Sequence, residues 1–313
     1  MTTIIKGKNN ITVELIADSI SPDGDRMSTF EIQLPKVLLA ELNTHRALSK
    51  NFQSSRAVPT MKMNEIQSFE PIYYGKNQPG MMSKKEEIDN TFYAKYIWSA
   101  AIALSKNSSK QLIDLGLHKQ WSNRLNDWHV MAKGVISGTD WDNMLWLRND
   151  GEAQPEFEEL AKCMQLAFDQ NTPNKLQPGE WHLPYIRTYR EPTVAGNLVY
   201  QDSDGAKLSV DDAKKISASC CAQVSYRKLN DSKVKALEIY NRLFTGRKPH
   251  LSPCEQQATP IKPYNVESNN PFMPVTWEPG VTHLRKDGKF CSGNIAGWIQ
   301  YRQTLPNNVY VKV

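Results

Sequence analysis

The chain has 313 residues, of which 40% are hydrophobic and 23% charged, the proportions of a soluble globular protein with a substantial core. Its formal charge of +5 suits anionic small molecules as well as nucleic acid, so charge alone selects neither. No apolar run approaches the roughly 20 residues that span a bilayer, and five cysteines, including the adjacent Cys220-Cys221, form no disulfide framework or zinc spacing. The opening Met1-Thr2-Thr3-Ile4-Ile5-Lys6 lacks the apolar stretch and cleavage site of a secretory signal, so a cytoplasmic protein with reduced thiols and no membrane partner is expected.

Residues 11–34 alternate as a strand, a polar turn at Ser21-Pro22-Asp23-Gly24-Asp25, and a second strand through Thr29-Phe30-Glu31-Ile32. Pro35 then suits the first turn of a helix carrying Val37, Leu38, Leu42 and His45 at helical spacing. The helix runs into a cationic stretch. Residues 42–56 hold His45, Arg46, Lys50 and Arg56 among hydroxyls and amides, and no acid occurs between Glu41 and Glu65. A solvated basic helix face is the plainer reading of a charge run. Ser49, Asn51, Gln53 and Ser54 are mediocre helix formers, however, and better suited to caps and turns. Arginine forks pair bidentately with phosphate or carboxylate, and serine hydroxyls add donors around the same oxygens. An anion site at the helix end and in the loop leaving it is the expectation.

Residues 59–84 read as loop, centred on Tyr73-Tyr74-Gly75-Lys76-Asn77-Gln78-Pro79-Gly80, equally suited to a lid or to a rigid turn. Residues 85–136 read as helical, with Phe92, Tyr96 and the run 97–104 packing inward, and include a basic, amide-rich patch at residues 116–124. Thr139-Asp140-Trp141-Asp142 has the form of a capped helix start with Thr139 as N-cap. Trp141, Met144 and Leu145 form that helix's apolar stripe, and Arg148 follows on the same side. A charge aimed inward is costly unless paired. Arg148 therefore either faces a ligand or snorkels at the helix C-terminus, where the dipole favours it. Gln154-Pro155-Glu156 opens a helix with Phe157, Leu160, Ala161, Met164 and Phe168 inward. Residues 170–215 are rich in Pro, Gly and Asp, anchored by Trp181-His182-Leu183-Pro184-Tyr185. Residues 218–226 read as a helix start or a short buried segment, followed by a helix with Val234, Leu237, Ile239, Tyr240 and Leu243. His250-Leu251-Ser252-Pro253-Cys254-Glu255 and Ala258-Thr259-Pro260 complete the readable segments before the end.

No glycine-rich phosphate loop of the Rossmann or Walker type occurs. Cys254 lies four residues after His250, but Pro253 intervenes and nothing in the sequence lowers its pKa, so a catalytic thiol is not expected. His118 and His129 lie eleven residues apart without surrounding carboxylates, so no metal site is expected either.

The spacing His45-Arg46-x-x-Ser49-x-Asn51-x-x-Ser54-x-Arg56 resembles the signature of flavin-dependent thymidylate synthases, Arg-His-Arg-x-x-Ser-x-Asn-Glu-x-Ser-x-Arg. Six positions match, while Thr44 replaces the first arginine and Phe52 the glutamate. Leu147-Arg148 followed by Ala153-Gln154-Pro155-Glu156 is similar to that family's Leu-Arg and Ala-Gln-x-Glu pair. Residues 223–226 and 250–256 resemble its Arg-Val-Ser-Tyr and His-x-Ser/Thr-Pro-Phe-Glu-His segments, with Cys254 and Gln256 in place of phenylalanine and the last histidine. In typical members these two segments precede the arginine signature and here they follow it, which suggests a circular permutation. The closing Gly297-Trp298-Ile299-Gln300-Tyr301-Arg302 is similar to a segment of phage-encoded relatives.

The resemblance implies an α+β fold, a central sheet flanked by helices in permuted order, forming a single compact catalytic domain over residues 1–313 with a loop-rich insertion at about 170–215. It implies FAD-dependent methylation of dUMP to dTMP, with methylenetetrahydrofolate and NADPH as co-substrates, in a homotetramer with shared active sites. Arg148 would then be catalytic, stabilising negative charge on the uracil ring. Ser54, Ser55, Arg56, Arg124 and Glu41 would bind the nucleotide. His45, Arg46, Asn51, Asn143, His250, Ser252 and Glu255 would bind the flavin. Thr44 and Phe52 motivate an alternative, a related one-carbon transfer to another pyrimidine nucleotide. A non-catalytic nucleic-acid-binding protein built on the basic patches is the reading from a different class, although nucleic acid is the less expected partner.

Overall fold

Alternation of Val13 and Leu15 with polar neighbours makes strand β2 (Thr12–Ile20), and a tight turn returns the chain as β3 (Arg26–Pro35) in antiparallel register. Gly24 sits in this turn at φ +88°, a conformation open to glycine at little cost. The computed structural model describes residues 4–193, 196–224, 230, 232–246, 248–262 and 277–309. In it the hairpin becomes the centre of a six-stranded sheet. The strand order is β1 (Ile4–Lys6), β2, β3, β5 (Met131–Gly138), β4 (Ser49–Phe52), with β6 (Asn174–Lys175) parallel to β2.

Two of these strands differ from the sequence expectation. Residues 49–52 were expected in a loop but pair antiparallel with β5, Asn51 opposite Val135. Residues 131–136 were expected to be helical. A short continuous apolar run can be a buried strand or a buried helix segment, and here the ladders of β3 and β4 on either side decide for strand.

Helix α1 (Leu39–Leu42) is a single turn after β3. The helical stripes of α5 (Asp142–Arg148) and α6 (Pro155–Asp169) cover one face of the sheet. Phe157, Leu160, Ala161, Met164 and Phe168 are all buried, as their spacing requires, and Phe30 of β3 meets Trp141 and Phe168 edge-on. Burial of each large apolar side chain contributes roughly 1.5–3 kcal/mol. Thr139 does not cap α5. Its hydroxyl accepts from the Ala296 amide at 3.1 Å, and no side chain caps the helix.

Between these segments lie α2 (Thr60–Glu65), the long α3 (Thr91–Asp114) and the short α4 (Lys119–Ser122). The inward packing expected of α3 is corrected by the structure. Phe92, Tyr96, Ile97 and Leu104 are exposed, and the helix is held instead by half-buried Trp98, whose indole donates to the Phe69 carbonyl at 2.9 Å. Residues 170–215 contain β6, a small sheet of β7 (Arg187–Arg190), β8 (Leu198–Gln201) and β9 (Lys207–Leu208), and the start of α7.

Helices α7 (Val210–Gln223) and α8 (Lys233–Phe244) pack together. Residues 218–223 thus close a helix rather than open one, while Ser225 and Tyr226 lie outside the described residues. After the 3-10 turn Ser252–Glu255, β10 (Ala258–Pro260) pairs with β14 (Trp298–Gln300). The short strands β11 (His283–Leu284), β12 (Phe290–Ser292) and β13 (Ile295–Ala296) form a separate meander. Among the described residues no helix is long and apolar enough to cross a membrane.

Candidate functional site

Asn51 joins three distant parts of the chain. From β4 its amide donates to the Cys221 carbonyl near the end of α7 at 2.8 Å, and its side-chain oxygen accepts from Ser252 Oγ at 3.4 Å. Next to it, Phe52 faces Gly134 of β5. A Cβ at position 134 would penetrate the Phe52 ring, so the glycine makes room for it. The ring forms one wall of a cleft of about 460 Å3, with Asn51, Ser54 and Arg56 beside it. His250, Ser252, Pro253, Ala222, Leu243, His118 and Gln120 complete the described lining. Among the described residues no carboxylate lines this cleft. Exposed Arg56 makes no ion pair or hydrogen bond with any described residue.

Other predicted residues lie elsewhere. Ser55 is buried and turned away, its hydroxyl on Asp127 at 3.3 Å and its carbonyl accepting from Asn123 at 2.8 Å. Arg124 pairs with the same Asp127 at 2.9 Å, as does Lys36 at 2.8 Å. These three groups converge on Asp127, outside the described lining of the cleft. Glu41 is exposed on α1, and its carbonyl accepts from the Thr44 hydroxyl at 2.7 Å. Thr44, where the resembled signature has arginine, therefore closes the helix. Exposed Asn143 lines a different cleft of about 720 Å3, between α5 and the segment carrying Arg285 and Lys289.

His45 and Arg148 form a third group. Arg148 Nε donates to His45 Nε2 at 3.0 Å, and the guanidinium lies over Phe157 at 4.5 Å from the ring centroid. To accept, His45 must be neutral and carry its proton on Nδ1. Burial pushes its pKa down to about 4, with Arg148 and then Lys50 adding to the shift. Lys50 donates to the His45 and Leu48 carbonyls at 2.6 and 2.9 Å, and burial lowers its pKa against the opposing charge of Glu255. Among the described residues no carboxylate lies within ion-pair distance of Arg148 or of exposed Arg46. Arg148 is thus an inward-facing cation held by a neutral imidazole and an aromatic face, with its charge uncompensated.

Sequence reasoning missed the supports of the cleft. Gln256 is fully buried. It accepts from Ser137 at 2.6 Å and donates to the Ser252 carbonyl at 3.3 Å. Ser137 continues through Thr29 (2.6 Å) to His182 (2.8 Å), whose other ring nitrogen meets Ser19 at 2.9 Å. Gln300, in the closing segment, donates to Ser49 Oγ and to the Glu255 carbonyl, both at 3.2 Å. Arg302 of the same segment pairs with Glu255. The departure of Gln256 from the resembled motif was the available signal, because a buried amide can donate and accept at once.

No family model matches the chain, and no curated protein matches it. Among solved structures it is similar to the UMP/dUMP methylase PolB from Streptomyces cacaoi bound with 5-Br UMP. That match has 17% identity and a TM-score of 0.44, covering 53% of this chain and 92% of that one. The same methylase bound with 5-Br dUMP gives 16% identity and a TM-score of 0.42, over 53% and 93% of the two chains. A likeness of this extent carries no argument about activity.

Proposed function

We propose that the chain is a flavin-dependent enzyme transferring a one-carbon unit to a pyrimidine nucleotide, with dUMP as substrate, FAD as cofactor, and methylenetetrahydrofolate and NADPH as co-substrates. The observation that carries this is the cleft itself. Asn51, Ser54 and Arg56 of the cationic stretch meet His250 and Ser252 from a segment some two hundred residues later, around a space that no described carboxylate lines. Its volume falls within the roughly 300–1,000 Å3 of small-molecule sites.

Arg56 and Ser54 would hold the nucleotide phosphate, and Phe52 offers an apolar wall to a planar ring. Arg46 fits the anionic part of a flavin cofactor because its guanidinium has no partner among the described residues. Asn51 keeps one N–H to offer. When bound, the flavin supplies the hydride. The protein's own part is to activate the pyrimidine without a nucleophile. Cys254 is fully buried and its thiol is pushed up to about 12 by burial, so thiolate attack is not available there. Arg148 supplies positive charge in place of a nucleophile. With Nε engaged by His45, its terminal nitrogens can face charge developing on the ring. Arg148 is not among the described residues lining the cleft, and a homotetramer with shared sites would let another subunit's copy complete it. The exposed apolar face of α3 supports such self-association.

The test combines a flavin spectrum with release of the C5 hydrogen of dUMP. The expected result is bound or titratable FAD and hydrogen release dependent on it. Colourless protein that FAD titration does not perturb, with no C5 release, would end this reading. Phe52, which puts a ring where the signature has a carboxylate, favours one variant, a different pyrimidine nucleotide as substrate. Competition of UMP and dCMP against dUMP distinguishes it.

A further inference from the structure

Ala57 and Leu243 also line a second cleft of about 580 Å3, so the two spaces adjoin along these residues. The second lobe is lined by Lys62 from α2 and Arg242 from the last turn of α8, together with the apolar Val58 and Ile66. Both cations are exposed, and neither makes an ion pair with a described residue. Among the described residues no carboxylate lines either lobe. The chain has 33 acids against 38 basic residues, so a described lining without one is a departure from its average composition. The other large cleft differs: there Arg285 is paired with Asp140 and Lys289 with Asp25. A cationic groove with apolar walls concentrates anions, because the field is screened least where water is excluded.

We infer that the Lys62–Arg242 lobe binds a second anionic group, phosphate or carboxylate, of a ligand that extends past Ala57 and Leu243 from the Arg56 cleft. This rests on the nucleotide reading of the first lobe and adds a site to it. A mononucleotide has one anionic end, which Arg56 serves. The second lobe therefore selects for an extended, doubly anionic small molecule. Two sources share that chemistry: the diphosphate of a dinucleotide cofactor and the γ-linked carboxylate tail of a folate.

The experiment measures binding, without turnover, for wild type, Arg56→Gln and the double variant Lys62→Gln/Arg242→Gln. The probes are dUMP, FMN, FAD, and monoglutamyl and pentaglutamyl tetrahydrofolate. The double variant should bind FAD or the pentaglutamate at least tenfold more weakly, while dUMP changes less than twofold. Loss confined to FAD relative to FMN assigns the dinucleotide phosphates. Loss confined to the pentaglutamate relative to the monoglutamate assigns the carboxylate tail. In wild type, raising salt should weaken the extended ligand more steeply than dUMP, a check that needs no substitution. Unchanged affinity of the double variant for both FAD and the pentaglutamate overturns the inference. If dUMP binding is meanwhile abolished by Arg56→Gln, the nucleotide reading stands without it. If wild type binds none of the probes, both fall.

Discussion

Replacing Arg148 with alanine separates a chemical role from a structural one. The guanidinium has two local contacts, the hydrogen bond to His45 and the face of Phe157. A hydrogen bond involving a charged group is worth roughly 1.5–3 kcal/mol, and a cation over an aromatic ring about 0.5–2 kcal/mol. Arg148 is partly exposed, so the lower ends apply and truncation should cost about 2 kcal/mol of stability, a few degrees in melting temperature. If the same group stabilises charge on the pyrimidine ring, its removal should cost about 3–4 kcal/mol at the transition state, or about 10²–10³-fold in rate. The assay is C5 hydrogen release from dUMP at saturating FAD, run beside a thermal melt. Arg148→Lys keeps the charge but not the planar fork, and should fall between the two. Removing Arg148 also deletes the second cause of the low pKa of His45, so its NMR titration should move upward while burial still holds it below 6.5. A wild-type rate in Arg148→Ala, or activity lost only in proportion to unfolded protein, would refute the chemical role.

Acidification should destabilise the protein before most carboxylates titrate. His45, His129 and His182 are each held near pKa 4, chiefly by burial. Their folded values lie below the unfolded one, so the unfolded state binds the extra protons. Stability should be level above about pH 6.5 and fall towards pH 4, by at most about 1.4 kcal/mol per pH unit for each histidine. Urea unfolding at pH 7, 6 and 5 checks this, and stability that rises on acidification would contradict it. Gly134→Ala places a methyl group into the Phe52 ring and close to the Asn51 carbonyl. It should cost about 1–3 kcal/mol and weaken dUMP binding, measured by calorimetry, whereas an unaltered affinity would mean that Phe52 is not a wall of the site.

The elements legible in the sequence were those whose pattern and partner are both local. The β2–β3 hairpin announced itself through Val13, Leu15 and the turn at Gly24, and α6 through Phe157, Leu160 and Met164. The missed strands depend on neighbours far along the chain. Ser49 to Phe52 has no apolar alternation and becomes a strand only because β5 offers a ladder. On α3, periodicity located an apolar face without saying what covers it, and Phe92, Tyr96 and Leu104 stay exposed among the described residues. Thr139 looked like a cap, but a longer-range partner, Ala296, takes its hydroxyl. For the site, the spacing of Asn51, Ser54 and Arg56 and the motif around Ser252 named residues that meet at one cleft. Spacing could not reveal that Arg148, Asn143 and Arg124 would each lie in other surroundings, because a motif records residue types and not the paths between them.

The contact of Ser252 with Asn51 spans 201 residues of chain. Bringing such ends together in a flexible chain costs about 5 kcal/mol of entropy, by (3/2)RT ln n, more than one hydrogen bond returns. The contact is therefore a consequence of folding and not its seed. During synthesis the strand bearing Asn51 leaves the ribosome long before the wall it faces exists, and its cations meet only water. The cleft closes after α7, α8 and the turn at Ser252 have docked. High contact order of this kind slows folding, and it gives the chain an order of events in which binding capacity appears last. Nascent chains that end before residue 252 carry the arginine stretch without a pocket, so ligand capture is a property of nearly complete molecules.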